Sequence, residues 1–202
     1  MKNYEHEILE IENLTSQYEK FSDSNLLSFL YESCGILLFE TQKVEFIIHG
    51  LVSHFNKYIL KTNKQFEKLT PRIFLDNDEN SKKKRKQTLG LRIKILLENN
   101  NFFNELELNT YVKNRNIFVH SFWREFLSGT KSTNRDEVLN AIKFVMEFSK
   151  ENVKWKSLFK GLLYLFAIVA SEKENRSIDL FKKYEPNYKD LIDYITEQKS
   201  IK

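Results

Sequence analysis

Residues that break helices are rare in this chain, and their scarcity limits the possible folds more than any other feature. The 202 residues include only five glycines and two prolines, Pro71 and Pro186. A sheet protein needs a turn roughly every 8 to 12 residues, and turns are built largely from these two residue types. Hydrophobic residues make up 41% and charged residues 30% of the chain, which is the balance of a globular protein. We therefore expect an all-α fold of long helices.

Apolar residues recur at steps of three or four along most of the sequence, as in amphipathic helices. The predicted helices cover residues 1–21, 25–69, 88–97, 102–127, 133–150, 153–170 and 178–197. The second of them is either unbroken or interrupted near Gly35, and Pro71 ends it. Thr133 and Asp136 have the spacing of a capping box, and the polar stretch 76–86 is predicted to be an exposed loop. We expect residues 1–202 to form a single domain, a helical bundle with long antiparallel helices.

Charge and cysteine content indicate the cellular compartment and the partners that we expect for this chain. A single cysteine, Cys34, excludes an internal disulfide framework and fits a reducing compartment, so we expect a cytoplasmic protein. The first residues lack the hydrophobic core of a signal peptide. The longest apolar run, 158–170, contains Lys160 and is too short to cross a bilayer, so no membrane association is expected. A net charge of +4 permits a nucleic-acid partner without requiring one.

The stretch 113–123, KNRNIFVHSFW, places strongly polar side chains on an otherwise apolar helix. Apolar residues surround its axis almost completely, which predicts a central, buried helix. Arg115, Asn116 and His120 would each cost roughly several kcal/mol there unless they are paired or line a cleft or interface. At 100° per residue, Arg115 lies about 140° around the axis from His120, so one helix cannot easily direct both at one small group. Two copies meeting about a two-fold axis could place both pairs around a shared cleft.

This pattern resembles the R-x4-6-H motif of HEPN domains, and Arg115, Asn116 and His120 match the Arg-Asn form of that motif. The order of elements is also similar, because the motif helix follows a long helix pair and a short TLG segment at 88–90. The resemblance covers a core of about 24–170, to which helices 1–21 and 178–197 are appended. It implies a HEPN-like helical bundle that acts as a homodimeric endoribonuclease and needs neither a metal nor another cofactor.

The resemblance also implies a role for each motif residue. His120 would take part in proton transfer or position the RNA 2′-hydroxyl, Arg115 would neutralise the phosphate, and Asn116 would orient the pair. The expected product is a 2′,3′-cyclic phosphate, and the implied setting is a toxin–antitoxin pair or anti-phage defence, with an antitoxin or regulatory protein as partner. Phe122 stands where the toxins paired with a nucleotidyltransferase antitoxin carry a modified tyrosine, which places that form of control in doubt.

The same three residues also allow an interpretation without catalysis. They can form a buried polar network that pins the helices or a dimer interface, in a non-catalytic HEPN-like interaction or RNA-binding module. Glu40 or Glu45 of the long helix is the expected charge partner of Arg115. A basic DNA-binding protein is a third interpretation, but the chain has no helix-turn-helix signature.

Two further groups of residues have alternative interpretations. A basic run can grip RNA phosphates, or it can be a solvated loop balanced by the acidic residues just before it; its residues are Lys82, Lys83, Lys84, Arg85 and Lys86. Glu45, His49 and His54 lack the spacing of a metal site, so no metal ligands are predicted.

Overall fold

Helices make up nearly all of the described chain, which in the computed structural model comprises residues 2–58, 89–99, 101–127, 134–174 and 177–200. In chain order the elements are α1 (Asn3–Thr15), a 3-10 turn (Tyr18–Lys20), α2 (Asp23–Tyr58), α3 (Leu89–Asn99), α4 (Glu105–Asn116), a π-helical turn (Ile117–Ser121), α5 (Phe122–Phe126), α6 (Arg135–Glu174), a second 3-10 turn (Asp179–Tyr184) and α7 (Glu185–Ser200). The described residues contain no strand, so the all-α prediction is confirmed.

The two longest helices, α2 and α6, run parallel to each other. Asp23 near the start of α2 pairs with Arg135 at the start of α6, and further along both helices Asn152 donates to Thr41. The predicted antiparallel arrangement is therefore wrong for this pair. It holds for their neighbours, since α4 and α5 run antiparallel to both long helices, and α1 and α7 run antiparallel to α6.

Helix α6 continues for 40 residues where the sequence predicted two helices separated near residues 151–152. The polar run around Asn152 has the composition of a break, yet neighbouring helices bind its polar side chains, except for the buried Oε2 of Glu151, which has no partner among the described residues. The Asn152 amide accepts a hydrogen bond from the Tyr111 hydroxyl and donates one to the Thr41 hydroxyl, both at 3.0 Å. Glu151 accepts a bond from Asn114 at 2.8 Å. Because these side chains are bonded to other helices, no turn is needed to hydrate them.

Helix α7 packs closely against α6 at Gly161. A Cβ atom at that position would lie 2.9 Å from the Cβ of Leu191, so only glycine allows this approach without a shift. The buried Asp190 carboxylate joins three helices, because it accepts hydrogen bonds from the Ser157 hydroxyl at 2.6 Å and from the backbone N–H of Asn3 at 2.8 Å. The terminal helices thus contribute to the same core as α2 and α6.

Aromatic rings fill the space between α6 and the segment that carries the motif. Tyr111 packs on Phe148, Phe118 also packs on Phe148, and Phe122 packs on Phe144, with ring centres 5.6, 5.7 and 6.0 Å apart. Each buried ring stabilises the fold by about 1.5–3 kcal/mol relative to an exposed one. These contacts fix the position of the motif segment along α6. Among the described residues, no helix has the length and apolarity that a bilayer crossing requires.

Candidate functional site

The motif residues lie where α4 passes into the π-helical turn. Asn104 caps α4, its side chain accepting a hydrogen bond from the Leu106 amide at 2.9 Å. Arg115 is half-buried near the end of α4, whereas Asn116 and His120 are exposed. The prediction of a helix buried all around is wrong, because the face that carries Asn116 and His120 is open to solvent.

The π-helical turn brings Arg115 and His120 together. The expectation that the two side chains diverge assumed the α-helical angle of 100° per residue. A π turn bonds residue i to residue i+5, so side chains five apart come to lie nearly one above the other. Arg115 Nη1 accordingly lies 3.3 Å from His120 Nε2. The expectation was therefore wrong, and a single copy of the helix places both groups at one point.

Arg115 is the centre of a cluster that we call the motif cluster, which consists of Glu45, Arg115, Asn116 and His120. The Nε of Arg115 donates to Glu45 Oε1 at 2.6 Å, and the Nη1 of Arg115 donates to Asn116 Oδ1 at 3.1 Å. Glu45 is thus the charge partner, one of the two predicted, whereas Glu40 pairs with Lys43 and Lys156.

Hydrogen-bond chemistry sets the direction of the contact between Arg115 and His120. A guanidinium group can only donate, so a hydrogen bond between them uses the lone pair of His120 Nε2 as the acceptor. Arg115 Nη2 makes no hydrogen bond to any residue that the structure describes. The cluster therefore offers a basic nitrogen and a cationic donor side by side.

Solvent reaches the motif cluster, although its ion pair is sheltered. The side chains of Arg115 and Glu45 are 17% and 23% exposed. A charge pair in such a position is screened less than a surface pair, so it holds the guanidinium firmly. The Nε edge of Arg115 faces Glu45, which directs the outer edge of the guanidinium toward Asn116 and His120.

Arg92 of α3 is a charged neighbour of the cluster that we did not predict. It is buried, and burial together with the nearby Arg115 lowers its pKa, while Glu45 acts in the opposite direction. Burial and Arg92 in turn lower the pKa of His49. The sequence contained a signal for this residue, since Arg92 shares an apolar helix face with Leu89 and Leu96. It is the same kind of signal that singled out Arg115.

An apolar strip borders the cluster on the outer surface. Tyr31 of α2 and Trp123 of α5 are in contact, with ring centres 5.6 Å apart and ring planes tilted by 43°, and both rings are exposed. Helix α2 and the antiparallel segment from α4 to α5 touch at two places, where Tyr31 meets Trp123 and where Glu45 meets Arg115. Leu38 and Val119 lie between these two contacts along their helices, and both are exposed. We call Tyr31, Leu38, Val119 and Trp123 the apolar strip. It extends from the motif cluster along both helices.

Other predicted site residues give no further geometry. The basic run, Lys82, Lys83, Lys84, Arg85 and Lys86, lies outside the described residues, as does the side chain of His54. Within the described part of the chain, no group of three His, Cys, Asp or Glu side chains is arranged to hold a metal ion. Burial raises the pKa of the Cys34 thiol to about 12, and Cys34 packs against the core.

Comparison of the chain with protein-family models, with curated proteins and with solved structures gives no match. A functional assignment therefore depends on the motif cluster, on the apolar strip beside it and on the chemistry that these residues can perform.

Proposed function

We propose that this chain is a metal-independent endoribonuclease of HEPN type that acts as a homodimer. The observation that carries the proposal is the contact between Arg115, Asn116 and His120 across the π-helical turn, on a solvent-facing surface. π-helical turns inside helices occur frequently at functional sites. The cluster combines a cation for a phosphate with an imidazole for a proton, the two groups that RNA transesterification requires.

The proposed reaction begins when a phosphodiester meets Arg115. A charge-assisted bond to a phosphate oxygen is stronger than the 3.3 Å contact with His120, so Arg115 Nη1 and Nη2 turn to the phosphate and release His120 Nε2. That nitrogen then accepts the proton of the RNA 2′-hydroxyl while the 2′-oxygen attacks the adjacent phosphorus. The bond from phosphorus to the 5′-oxygen breaks, and the products are a 2′,3′-cyclic phosphate and a 5′-hydroxyl. The attacking oxygen belongs to the RNA, so no metal-bound water is needed.

The departing 5′-oxygen needs a proton, and this need supports the homodimer. A single His120 cannot accept the proton of the 2′-hydroxyl and protonate the leaving oxygen at the same moment. A second copy, related by a two-fold axis, supplies a second His120, whose protonated imidazolium form donates a proton to that oxygen. The apolar strip provides a surface for that contact, because large apolar side chains that border a polar site are typical of interfaces.

Glu45 positions the arginine in this mechanism. By accepting from Nε at 2.6 Å, it holds the guanidinium plane with the Nη edge directed at the incoming phosphate. Asn116 assists from the same edge through its bond to Nη1. The setting, a toxin–antitoxin pair or anti-phage defence with a regulatory protein as partner, comes from the HEPN resemblance alone and is part of the same proposal.

The second candidate is a non-catalytic HEPN-like module that binds RNA or a protein without cleaving it. The observation that favours it is the ion pair between Arg115 and Glu45, which neutralises the guanidinium charge without any ligand. In that case the cluster orders the junction of α2 with α4. The exposure of His120 and Asn116 favours the enzyme, since a purely structural network gains most when it is buried.

The test is RNA cleavage in the presence of a chelator. We expect the purified protein to cut single-stranded RNA equally well with and without EDTA and to leave cyclic-phosphate ends, which mass spectrometry identifies. DNA of the same sequence is the control and should stay intact, because it lacks the 2′-hydroxyl. Activity that EDTA abolishes and magnesium restores would contradict the mechanism, and intact RNA under all conditions would favour the binding module.

A further inference from the structure

A second concave site is formed by residues outside the motif cluster and the apolar strip. It is a groove of about 480 Å³ between α2, α6 and the 3-10 turn before α7. Three aromatic rings and three amines contribute to its lining, and we call it the lysine–aromatic groove; these residues are Phe39, Phe46, Tyr184, Lys43, Lys156 and Lys160. Neither the proposed cleavage nor the helix packing assigns a role to this combination.

The outer face of α2 carries large apolar side chains, two of which also line the groove. Ile36, Phe39 and Phe46 are 67%, 58% and 77% exposed, and we call these three residues the α2 ridge. At 100° per residue they lie within about 80° of one another around the helix axis, and at 1.5 Å per residue they extend over about 15 Å. Single exposed apolar residues are ordinary on a protein surface, but a row on one helix face is typical of a site that binds another molecule.

Amines flank the α2 ridge on the side of α6. Lys156 and Lys160 lie one turn apart on α6, which runs parallel to α2. Glu40 of α2 pairs with Lys156 at 3.2 Å and with Lys43 at 2.6 Å. Among the described lining residues, Glu40 is the one carboxylate beside three amines, so positive charge is in excess in the groove.

Lys160 is the amine of the groove with the least compensation. Lys156 meets a second carboxylate, that of Glu7, at 3.1 Å. Within the described part of the chain, no carboxylate lies within ion-pair distance of Lys160, whose ammonium is 5.9 Å from the centre of the Tyr184 ring. Burial and the neighbouring Lys156 lower the pKa of Lys160. A carboxylate from a partner would therefore stabilise the charged form of this side chain.

The excess of positive charge selects among possible occupants of this surface. A second copy in a two-fold contact would bring two faces of the same sign together, which opposes association. A lipid surface is flat, whereas Lys160 is half-buried inside a groove. A helix with an apolar face and an acidic edge complements both features, because such helices bind by laying their apolar face into a groove.

We propose that the α2 ridge and the lysine–aromatic groove together dock an acidic amphipathic helix of another protein. Apolar residues at steps of three or four on that helix pack against Phe39 and Phe46, and acidic residues along its edge pair with Lys160. Docking at this surface goes beyond the proposed cleavage and does not depend on it.

Calorimetric titration of the full chain with designed peptides tests this proposal. Three peptides of about 18 residues, each about 27 Å long as a helix, share one leucine face and differ only along the edge, which is glutamate, glutamine or lysine. The glutamate peptide should bind about tenfold more tightly than the glutamine peptide, and the lysine peptide most weakly. Added salt should narrow the difference between the first two, because it screens the charges.

Two variants and two matched controls locate the binding. Lys160→Gln should weaken binding of the glutamate peptide about tenfold and leave the glutamine peptide nearly unchanged, whereas Phe46→Ala should weaken both about tenfold. Lys94→Gln removes an exposed lysine of α3, and Leu106→Ala removes a side chain of α4 that is as exposed as Phe46; neither should change affinity. Because Phe46 is exposed, its variant tests the surface even if Lys160→Gln folds poorly.

Four outcomes would overturn the inference. The glutamate peptide may fail to bind at about 1 mM, or it may bind no more tightly than the lysine peptide. Phe46→Ala may bind the glutamate peptide as the wild type does. Anionic vesicles or a 2′-O-methyl RNA hexamer may bind more tightly than the glutamate peptide and lose affinity in Lys160→Gln. The wild type may instead self-associate through this face, so that Phe46→Ala abolishes the association. The titrations involve no RNA cleavage, so failure of the ribonuclease proposal would leave a positive result standing, and the reverse also holds.

Discussion

Two polar networks begin one helical turn apart on α4, one at Tyr111 and one at Arg115, and they end differently. Tyr111 donates to Asn152, Asn152 donates to Thr41, and Thr41 donates to the Leu37 carbonyl, at 3.0, 3.0 and 2.7 Å. Those three side chains are almost wholly buried, and the series ends on the backbone. The network around Arg115 begins at a half-sheltered ion pair and ends on exposed His120.

The difference shows that a polar residue on an apolar helix can have either of two roles, to stabilise the fold or to serve a functional site. In the buried network every donor has a protein acceptor, and burial raises the pKa of Tyr111 well above its ordinary value, so the hydroxyl remains a neutral donor. In the motif cluster, Arg115 Nη2 and the imidazole still have capacity for a ligand. A closed network stabilises the fold, whereas an open one is suited to chemistry, and mutations should separate the two.

Among the variants that separate the two networks, Arg115→Ala should cause a large loss of activity. Removing a donor that neutralises transition-state charge costs about 10²–10³-fold in kcat. We also expect a loss of stability, because the sheltered Glu45 carboxylate loses the cation with which it pairs. RNA cleavage rates and thermal melts measure the two effects, with the exposed Arg124→Ala as control. Full activity in Arg115→Ala would remove this residue from the mechanism.

A smaller effect, on stability alone, is expected from Tyr111→Phe. The substitution keeps the ring and leaves Asn152 Oδ1 without its donor in a buried position, at a cost of about 1–3 kcal/mol. Urea denaturation measures the free energy of unfolding, and RNA cleavage per folded molecule should match the wild type. If Tyr111→Phe retained full stability, the distinction between the closed and open networks would fail.

The smallest expected effect is on assembly, from Trp123→Ala. Truncating an exposed aromatic residue at the centre of an interface weakens association by roughly 10- to 30-fold. Size exclusion with light scattering over a concentration series measures the dissociation constant, and Leu106→Ala, equally apolar and more exposed, is the control. A wild-type protein that stays monomeric across micromolar concentrations would exclude the composite site.

Features set by local patterns could be predicted from the sequence, whereas those set by tertiary contacts could not. The all-α class, the short helix near 88–97 and a charge partner for Arg115 at either Glu40 or Glu45 followed from spacing and charge, and the structure agrees, with Glu45 as the partner. The unbroken α6 was missed because the partners of Asn152, Tyr111 and Thr41, are distant in sequence. The parallel direction of α2 and α6 was missed because it depends on connections that local patterns do not specify.

The π-helical turn is the most instructive of these differences. At 100° per residue, the sequence separates Arg115 from His120, but the turn removes that separation while Phe118 and Phe122 stay on the core side. Packing of these two rings on α6 holds the turn, and packing of this kind cannot be deduced from helical periodicity. The motif residues were identifiable from sequence, but their contact was not.

The measurement that tests the central claim most directly compares His120→Ala with the wild type in two assays at once. Acid–base groups contribute about 10²–10⁴-fold to rate, so RNA cleavage should fall by that factor. The melting temperature and the dimer should stay nearly unchanged, because His120 is exposed and its contact with Arg115 is long, at 3.3 Å. A wild type that does not cleave RNA, together with a destabilised His120→Ala, would contradict the account and assign the cluster a structural role.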